Sequence, residues 1–301
     1  MNMLQLTTSI KKEIWEYKKI FYWLPIIIAS LMILAPLAVY LLNNTPPDFW
    51  ITRFQRVAEM QDDVMFSKLF FGFVSGIFVP FLLVATLVQV YYFIACLFDE
   101  RRDLSILFWR SLPVSDAMSV GVKLFVGALV LPIIFLIAAT LTLSLFLLVA
   151  FILCSVLAIS YDISLWGLWA STDILSNTMG YWMNLLPYTL WLLPLYTWLM
   201  LVSMVSSKAP FLWAILPVIL ILILEAFVTR YFHLESSFFL NLLADYFSIS
   251  QTTIDTYVGN HVMVSMAPMT VISEKISLAG IALSGIFIYI TYWFRANKSH
   301  H

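Results

Sequence analysis

Charge is what this chain has least of. Asp, Glu, Lys and Arg together make up 11% of its 301 residues, against 62% hydrophobic residues and a mean hydropathy of +0.95. Soluble domains carry about 25% charged and roughly 45–50% apolar residues, so a water-facing globule is excluded and a chain living in a bilayer is expected. The net charge of -1 and a pI near 6.4 leave no face rich enough in Lys and Arg to displace counterions from phosphate, which rules out nucleic acid as a partner. Cysteine is scarce. Cys96 and Cys154 have no CxxC spacing and fall near opposite ends of different apolar runs, so both read as buried packing residues without a disulfide. None of the nine glycines is followed by Lys, so no GxxxxGK[ST] loop can cradle nucleotide phosphates. HExxH, HxxxxD and paired intramembrane acids are also missing, and His233 and His261 lack a cluster of acid or cysteine at ligand spacing. An enzyme, a bound cofactor and a metal site are therefore not expected in this chain.

What is present is hydrocarbon. About 20 apolar residues cross roughly 30 Å of bilayer core, and six segments qualify: Phe21 to Leu42, Leu69 to Leu97, Val122 to Leu153, Leu185 to Val205, Phe211 to Val228 and Ile276 to Phe294. The third exceeds one crossing, so a tilt or an outward projection is expected. Pro25, Pro36, Pro80, Pro132, Pro187, Pro194 and Pro217 fall inside these runs and predict kinks. Lys and Arg are biased toward one side, which collects Lys11, Lys12, Lys18, Lys19, Arg101, Arg102, Arg110, Lys123, Lys208, Arg295 and Lys298. By the positive-inside rule both termini are cytoplasmic. The first run is too long for a signal core and lacks a small-x-small cleavage site, so it reads as a retained anchor.

Residues 1–20 predict an interfacial amphipathic helix, with Leu6, Ile10, Ile14, Tyr17 and Phe21 at helical intervals and Lys11, Lys12, Glu13, Glu16, Lys18 and Lys19 on other faces. Asn43 to Lys68 reads as an outer loop with a polar helical piece through Arg56 and Asp63. Ser155 to Asn184 carries Tyr161, Trp166, Trp169, Tyr181 and Trp182 and suits an outer aromatic belt. The outer segment 229–275 contains Phe238, Phe239, Leu240, Leu242, Leu243, Tyr246 and Phe247, too apolar for a solvated loop, and is expected to fold back against the membrane. No repeat or linker divides the chain, so 1–301 is read as one membrane domain.

The most informative stretch is 99–116. Leu104, Leu107, Phe108 and Leu112 recur at helical spacing among Glu100, Arg101, Arg102, Asp103 and Arg110, a pattern that wants a protein surface. Glu100-Arg101, then an amphipathic turn, then Ser111-Leu112-Pro113-Val114-Ser115 and Lys123 leading into the next run resembles the ABC-2 type permease subunits of bacterial ATP-binding-cassette transporters. The resemblance is sharp over about 25 residues and topological elsewhere, and Leu104 stands where many relatives place glycine. It implies an all-α integral membrane fold with six transmembrane helices, an N-terminal interfacial helix, a cytoplasmic coupling helix between spans 2 and 3, and a partly apolar re-entrant segment between spans 5 and 6.

The resemblance further implies a permease subunit of an exporter in the bacterial inner membrane. Two copies, or one copy and a related permease, would join two ATPase subunits that bind ATP and Mg, and the cargo would be a lipid, hydrophobic peptide or drug. An alternative within the same family is a module that drives assembly or mechanical signalling outside the membrane without moving solute. Coupling to the ATPase would fall to Glu100, Arg101, Arg102, Asp103, Leu104, Leu107, Phe108, Arg110 and Leu112. Phe71, Gly72, Gly76 and Glu225 are candidates for the path or for packing, since relatives line the path with the second and fifth spans; Phe70, Phe73 and Phe78 share that reading. Gly72 and Gly76 form a GxxxG, with a weaker version at Gly280 and Ser284. Glu225 is the one acid inside an apolar run, and snorkelling or pairing with Arg230 is its simplest role.

Overall fold

The computed structural model describes residues 3–42, 46–59, 63–103, 115–166, 169, 174–232, 237–247 and 272–297. Among these, every regular element is a helix. They are α1 (Met3–Glu16), α2 (Leu24–Leu42), α3 (Pro47–Glu59), α4 (Asp63–Ala95), α5 (Phe98–Arg102), α6 (Asp116–Phe125), α7 (Leu131–Tyr161), α8 (Ile174–Met183), α9 (Leu185–Val205), α10 (Pro210–Tyr231), α11 (Phe238–Phe247) and α12 (Leu278–Asn297). Six helical stretches are long and apolar enough to cross a membrane: Lys19–Leu42, Phe70–Arg102, Asp116–Tyr161, Ile174–Val205, Pro210–Tyr231 and Leu278–Asn297. Each coincides with one of the six runs read from hydropathy.

The boundaries differ in instructive ways. The polar piece after the first span ends at Glu59, and Asp63 already opens the 33-residue α4. The third span, α6 with α7, covers 46 residues, about 70 Å of helix at 1.5 Å per residue against roughly 30 Å of hydrocarbon. Its far end serves as a post. Cys154 and Leu157 meet Ile163 and Leu165 there, with Ile51, Phe54 and Val57 of α3 packed on them. The fourth span begins earlier than hydropathy suggests, at Ile174, because α8 runs into α9 with only a break at Asn184. Tyr181 and Trp182 consequently leave the expected outer belt and turn inward. The Tyr181 ring stacks on Phe78 at 4.4 Å and its hydroxyl donates to Ser75 Oγ at 2.8 Å, while Trp182 Nε1 donates to Thr140 Oγ1 at 3.2 Å.

The core lies between α4, α6–α7 and α9, where Phe78, Phe81, Phe93, Leu131, Phe135 and Tyr196 are fully enclosed. The α9–α12 pair is the most extensive helix contact. Both cysteines are free and buried, as their spacing predicted. Pro36, Pro80, Pro194 and Pro217 lie within helices, and so does Pro132, just past the π-turn of the continuous helix Asp116–Tyr161, where its missing N–H removes a bond from the ladder.

Candidate functional site

One end of the bundle holds a buried ionic node. Ile10 of α1 and Tyr17, just past its end, pack on the core, and Glu13 lies between them at helical spacing, so it is carried inward with them and is only 3% exposed. Lys123 enters from the start of the third span and is fully buried, Glu100 from α5 at 1% exposure, and Arg295 from the end of α12 at 2%. Lys123 Nζ donates to Glu13 Oε1 at 2.9 Å and lies 3.1 Å from Glu100 Oε1. Lys12 Nζ donates to the same Glu100 oxygen at 3.1 Å, and the Tyr92 hydroxyl donates to Glu13 Oε2 at 3.1 Å. Arg295 completes the node. Its Nη1 donates to Glu100 Oε2 and its Nε to Asp116 Oδ1, both at 3.0 Å.

Lys12, Lys123 and Arg295 thus face Glu13, Glu100 and Asp116, charges that match, with Glu13, Glu100, Lys123 and Arg295 desolvated and Lys12 and Asp116 at the half-buried edge. Such a pair is costly to bury and costlier to break, because the abandoned partner stays buried. At the edge of the node, burial raises the Glu16 carboxyl above its usual range against the fields of Lys123 and Lys12. Burial likewise raises the Tyr17 phenol. The elements joined are α1, the second span, the third span and α12. Glu100 and Asp116 also flank the stretch 104–114, so the Arg295 guanidinium clips together the two feet of that segment.

The residues singled out for coupling are distributed unevenly. Glu100 turns inward, so its carboxylate is spent within the chain and offers nothing to a partner surface. Arg101 Nη2 donates to the carbonyls of Ser203 and Ser206, fastening α5 to the end of α9, and Ser203 Oγ accepts from Leu97 N and Phe98 N at 3.2 and 2.9 Å. Arg102 is exposed and pairs with Asp99 and Asp103 at 3.2 and 3.0 Å. Leu104, Leu107, Phe108, Arg110 and Leu112 lie outside the described residues.

Among the path candidates, Phe71 is half-buried, and Gly72 and Gly76 are exposed, with nothing within 4 Å of where a Cβ would stand. Phe78 is core, stacked on Tyr181, and does not line an open face. Gly280 lies against α9, where an added Cβ would come 3.4 Å from Pro194 Cγ. Glu225 makes no ion pair with Arg230 among the described residues. It caps α11, its carboxylate accepting from Phe239 N and, at 2.9 Å, from Leu240 N, the donors that a first helical turn leaves without intrahelical acceptors. The other end of α11 folds back on the bundle: the Tyr246 hydroxyl donates to the Trp191 carbonyl, and the Phe247 ring lies 6.3 Å from the Trp191 ring.

A second polar group sits within the spans. The chain widens to a π-turn at Val126–Val130, which takes carbonyls out of the regular ladder. Gln89 Nε2 donates to Gly127 O at 2.9 Å and Thr189 Oγ1 to Ala128 O at 3.2 Å. Gln89 Oε1 accepts from Tyr196 OH at 3.0 Å. Gly127 has no room for a side chain, since an added Cβ would come 2.6 Å from Phe93 Cζ and 2.7 Å from the Tyr92 ring.

Read from sequence, Lys12, Lys123 and Arg295 belong to the positive-inside tally and Glu13 to a solvated face; the fold buries Glu13, Lys123 and Arg295 together. The signals of burial are present in the chain: Glu13 lies on the apolar stripe of α1, and Lys123 follows Val122 inside an apolar run. No family model, no curated protein and no solved structure matches the chain. Among the described residues no group of three or more His, Cys, Asp or Glu is placed to hold a metal ion.

Proposed function

We propose that this chain is the membrane-spanning permease subunit of an ATP-driven exporter, and that segment 99–116 engages a separate ATPase chain. Both termini lie on the cytoplasmic side of a bacterial inner membrane in this reading, and two permease copies meet two ATPase copies. What supports it is a helix preceding the first of six apolar helices, a charged amphipathic segment between the second and third, and a short apolar helix, α11, returning to the bundle between the fifth and sixth.

The observation that carries the reading is the Arg295 clip. A segment that only connected two spans would need no buried ionic anchor at its base. Here both feet, Glu100 and Asp116, are bound to one guanidinium, and Glu100 is shared with Lys12 and Lys123. A displacement of the segment is therefore passed to α1 and to the second, third and sixth spans together, which is how nucleotide-driven motion in a companion would reach a path between permeases.

The test is replacement of Leu107 and Phe108 by Asp in a tagged full-length chain. Burying two such side chains in a partner is worth about 1.5–3 kcal/mol each, so the variant is expected to insert normally and to lose the ATPase activity that co-purifies with the parent in mild detergent. Co-purification at the parent level would contradict the docking role. ATP-dependent solute uptake into inverted vesicles then separates export from a purely mechanical module.

A further inference from the structure

Between α1 and α6 lies an apolar groove of about 320 Å³ lined by Leu6, Ile10, Met118, Gly121, Val122 and Phe125. That volume lies within the range of small-molecule sites. Its floor begins within a turn of Asp116, the polar start of the third span, so it sits at the edge of the apolar belt rather than in its middle. A wholly apolar groove gives water no hydrogen-bond partners and does not hold it. In a bilayer the material at hand to fill it is an acyl chain.

The helix that forms one wall carries the matching head-group chemistry. Lys11 of α1 and Lys18, two residues past its end, each follow an inward residue, Ile10 and Tyr17, and their spacing of seven puts them on one flank, turned away from Lys12. Lys12 is spent on Glu100, whereas Lys11 and Lys18 are exposed and make no ion pair among the described residues. Exposed cations on the flank of a helix that walls an apolar slot complement an anionic head group on an apolar tail.

We infer that this groove is a binding site for an anionic phospholipid, with one acyl chain lying against Gly121 and the phosphate resting on Lys11 and Lys18. The site is separate from the segment proposed to engage an ATPase and stands or falls without it. The bound lipid buttresses the N-terminal half of α1, ahead of the node at Glu13.

The test is native mass spectrometry of the full-length chain in mild detergent, titrated with phosphatidylglycerol, with phosphatidylcholine of the same chains, and with glycerol phosphate as the bare head group. Phosphatidylglycerol is expected to be retained in preference to phosphatidylcholine, and glycerol phosphate not to compete. Gly121→Leu fills the slot where an added Cβ meets nothing within 4 Å, so it should leave thermal unfolding unchanged while abolishing the retained lipid. Lys11→Gln and Lys18→Gln, both surface changes, should keep tail binding and lower the preference for phosphatidylglycerol by about fivefold per lysine. The inference is overturned if the Leu variant retains phosphatidylglycerol at the parent level, or if the Gln variants keep the full preference. Equal competition by glycerol phosphate overturns it as well. A change of oligomeric state in the Leu variant without a change in lipid count would overturn it in favour of a second copy of the chain in the groove.

Discussion

The two ends of the bundle are held by opposite means. At the end carrying α1 and α5, four helical elements meet on the buried ions Glu13, Glu100, Lys123 and Arg295, each within 3.1 Å of an opposite charge. At the other end, α3 rests on the projecting third span through Ile51, Phe54 and Val57 against Cys154 and Leu157, and α11 is held by the Glu225 cap, by hydrogen bonds that Tyr246 and Lys275 donate to main-chain carbonyls, and by ring contacts. Apolar contacts tolerate sliding and repacking, whereas a buried ion pair is satisfied only at one separation and one direction. The charged end is thus the stiff end. In the proposed function, stiffness there would suit a base that passes on a displacement, and compliance opposite would suit elements that move in response.

The comparison can be broken most severely at Glu100. Glu100→Gln leaves Lys123 and Arg295 buried with half their compensation, and a loss of about 3–5 kcal/mol is expected, read as a lowered unfolding midpoint in detergent. A shift within experimental error would mean that the node is hydrated and ordinary. Next comes the crowded junction between the two ends. Gly127→Ala drives a methyl into Phe93 and Tyr92 and should cost about 1–3 kcal/mol, checked by the same melt, and no shift would show that the π-turn yields.

At the compliant end, Glu225→Gln weakens a charged cap and should cost about 0.5–2 kcal/mol. The effect should be local: faster amide exchange at Phe239 and Leu240 with little change at α1, and a global loss instead would erase the contrast. The smallest effect is expected at Gly72→Ala and Gly76→Ala, where the added methyls meet nothing within 4 Å. Stability of the single chain should stay within about 0.5 kcal/mol; a larger drop would mean that this face is already covered in the purified particle.

Much of the architecture is legible because spans are written in composition. Lipid offers no hydrogen bonds, so each crossing must be a helix of a minimum length, and Phe21 to Leu42 or Phe211 to Val228 could hardly be anything else. The ends are harder to read. Polar and aromatic residues belong equally to a loop and to a helix that packs inside, so Ile174–Met183 reads as an outer segment in sequence, while in the fold its Tyr181 and Trp182 meet Phe78 and Thr140. Glu225 shows its oddity in sequence but not its partner, since the amides it caps are 14 and 15 residues away.

By itself the sequence determined a helical chain with six helices long and apolar enough to cross a membrane, the helix ahead of them, and the short list of charges that hydrocarbon would have to accommodate. Hydropathy and helical period are local quantities, and they suffice for that. Only the tertiary structure decided which of those charges leave water together. Glu13, Glu100, Lys123 and Arg295 are far apart in the chain, and the local pattern that hints at burial of Glu13 and Lys123 names no partner for either; pairing energy exists only at contact distance, which packing of the four elements creates.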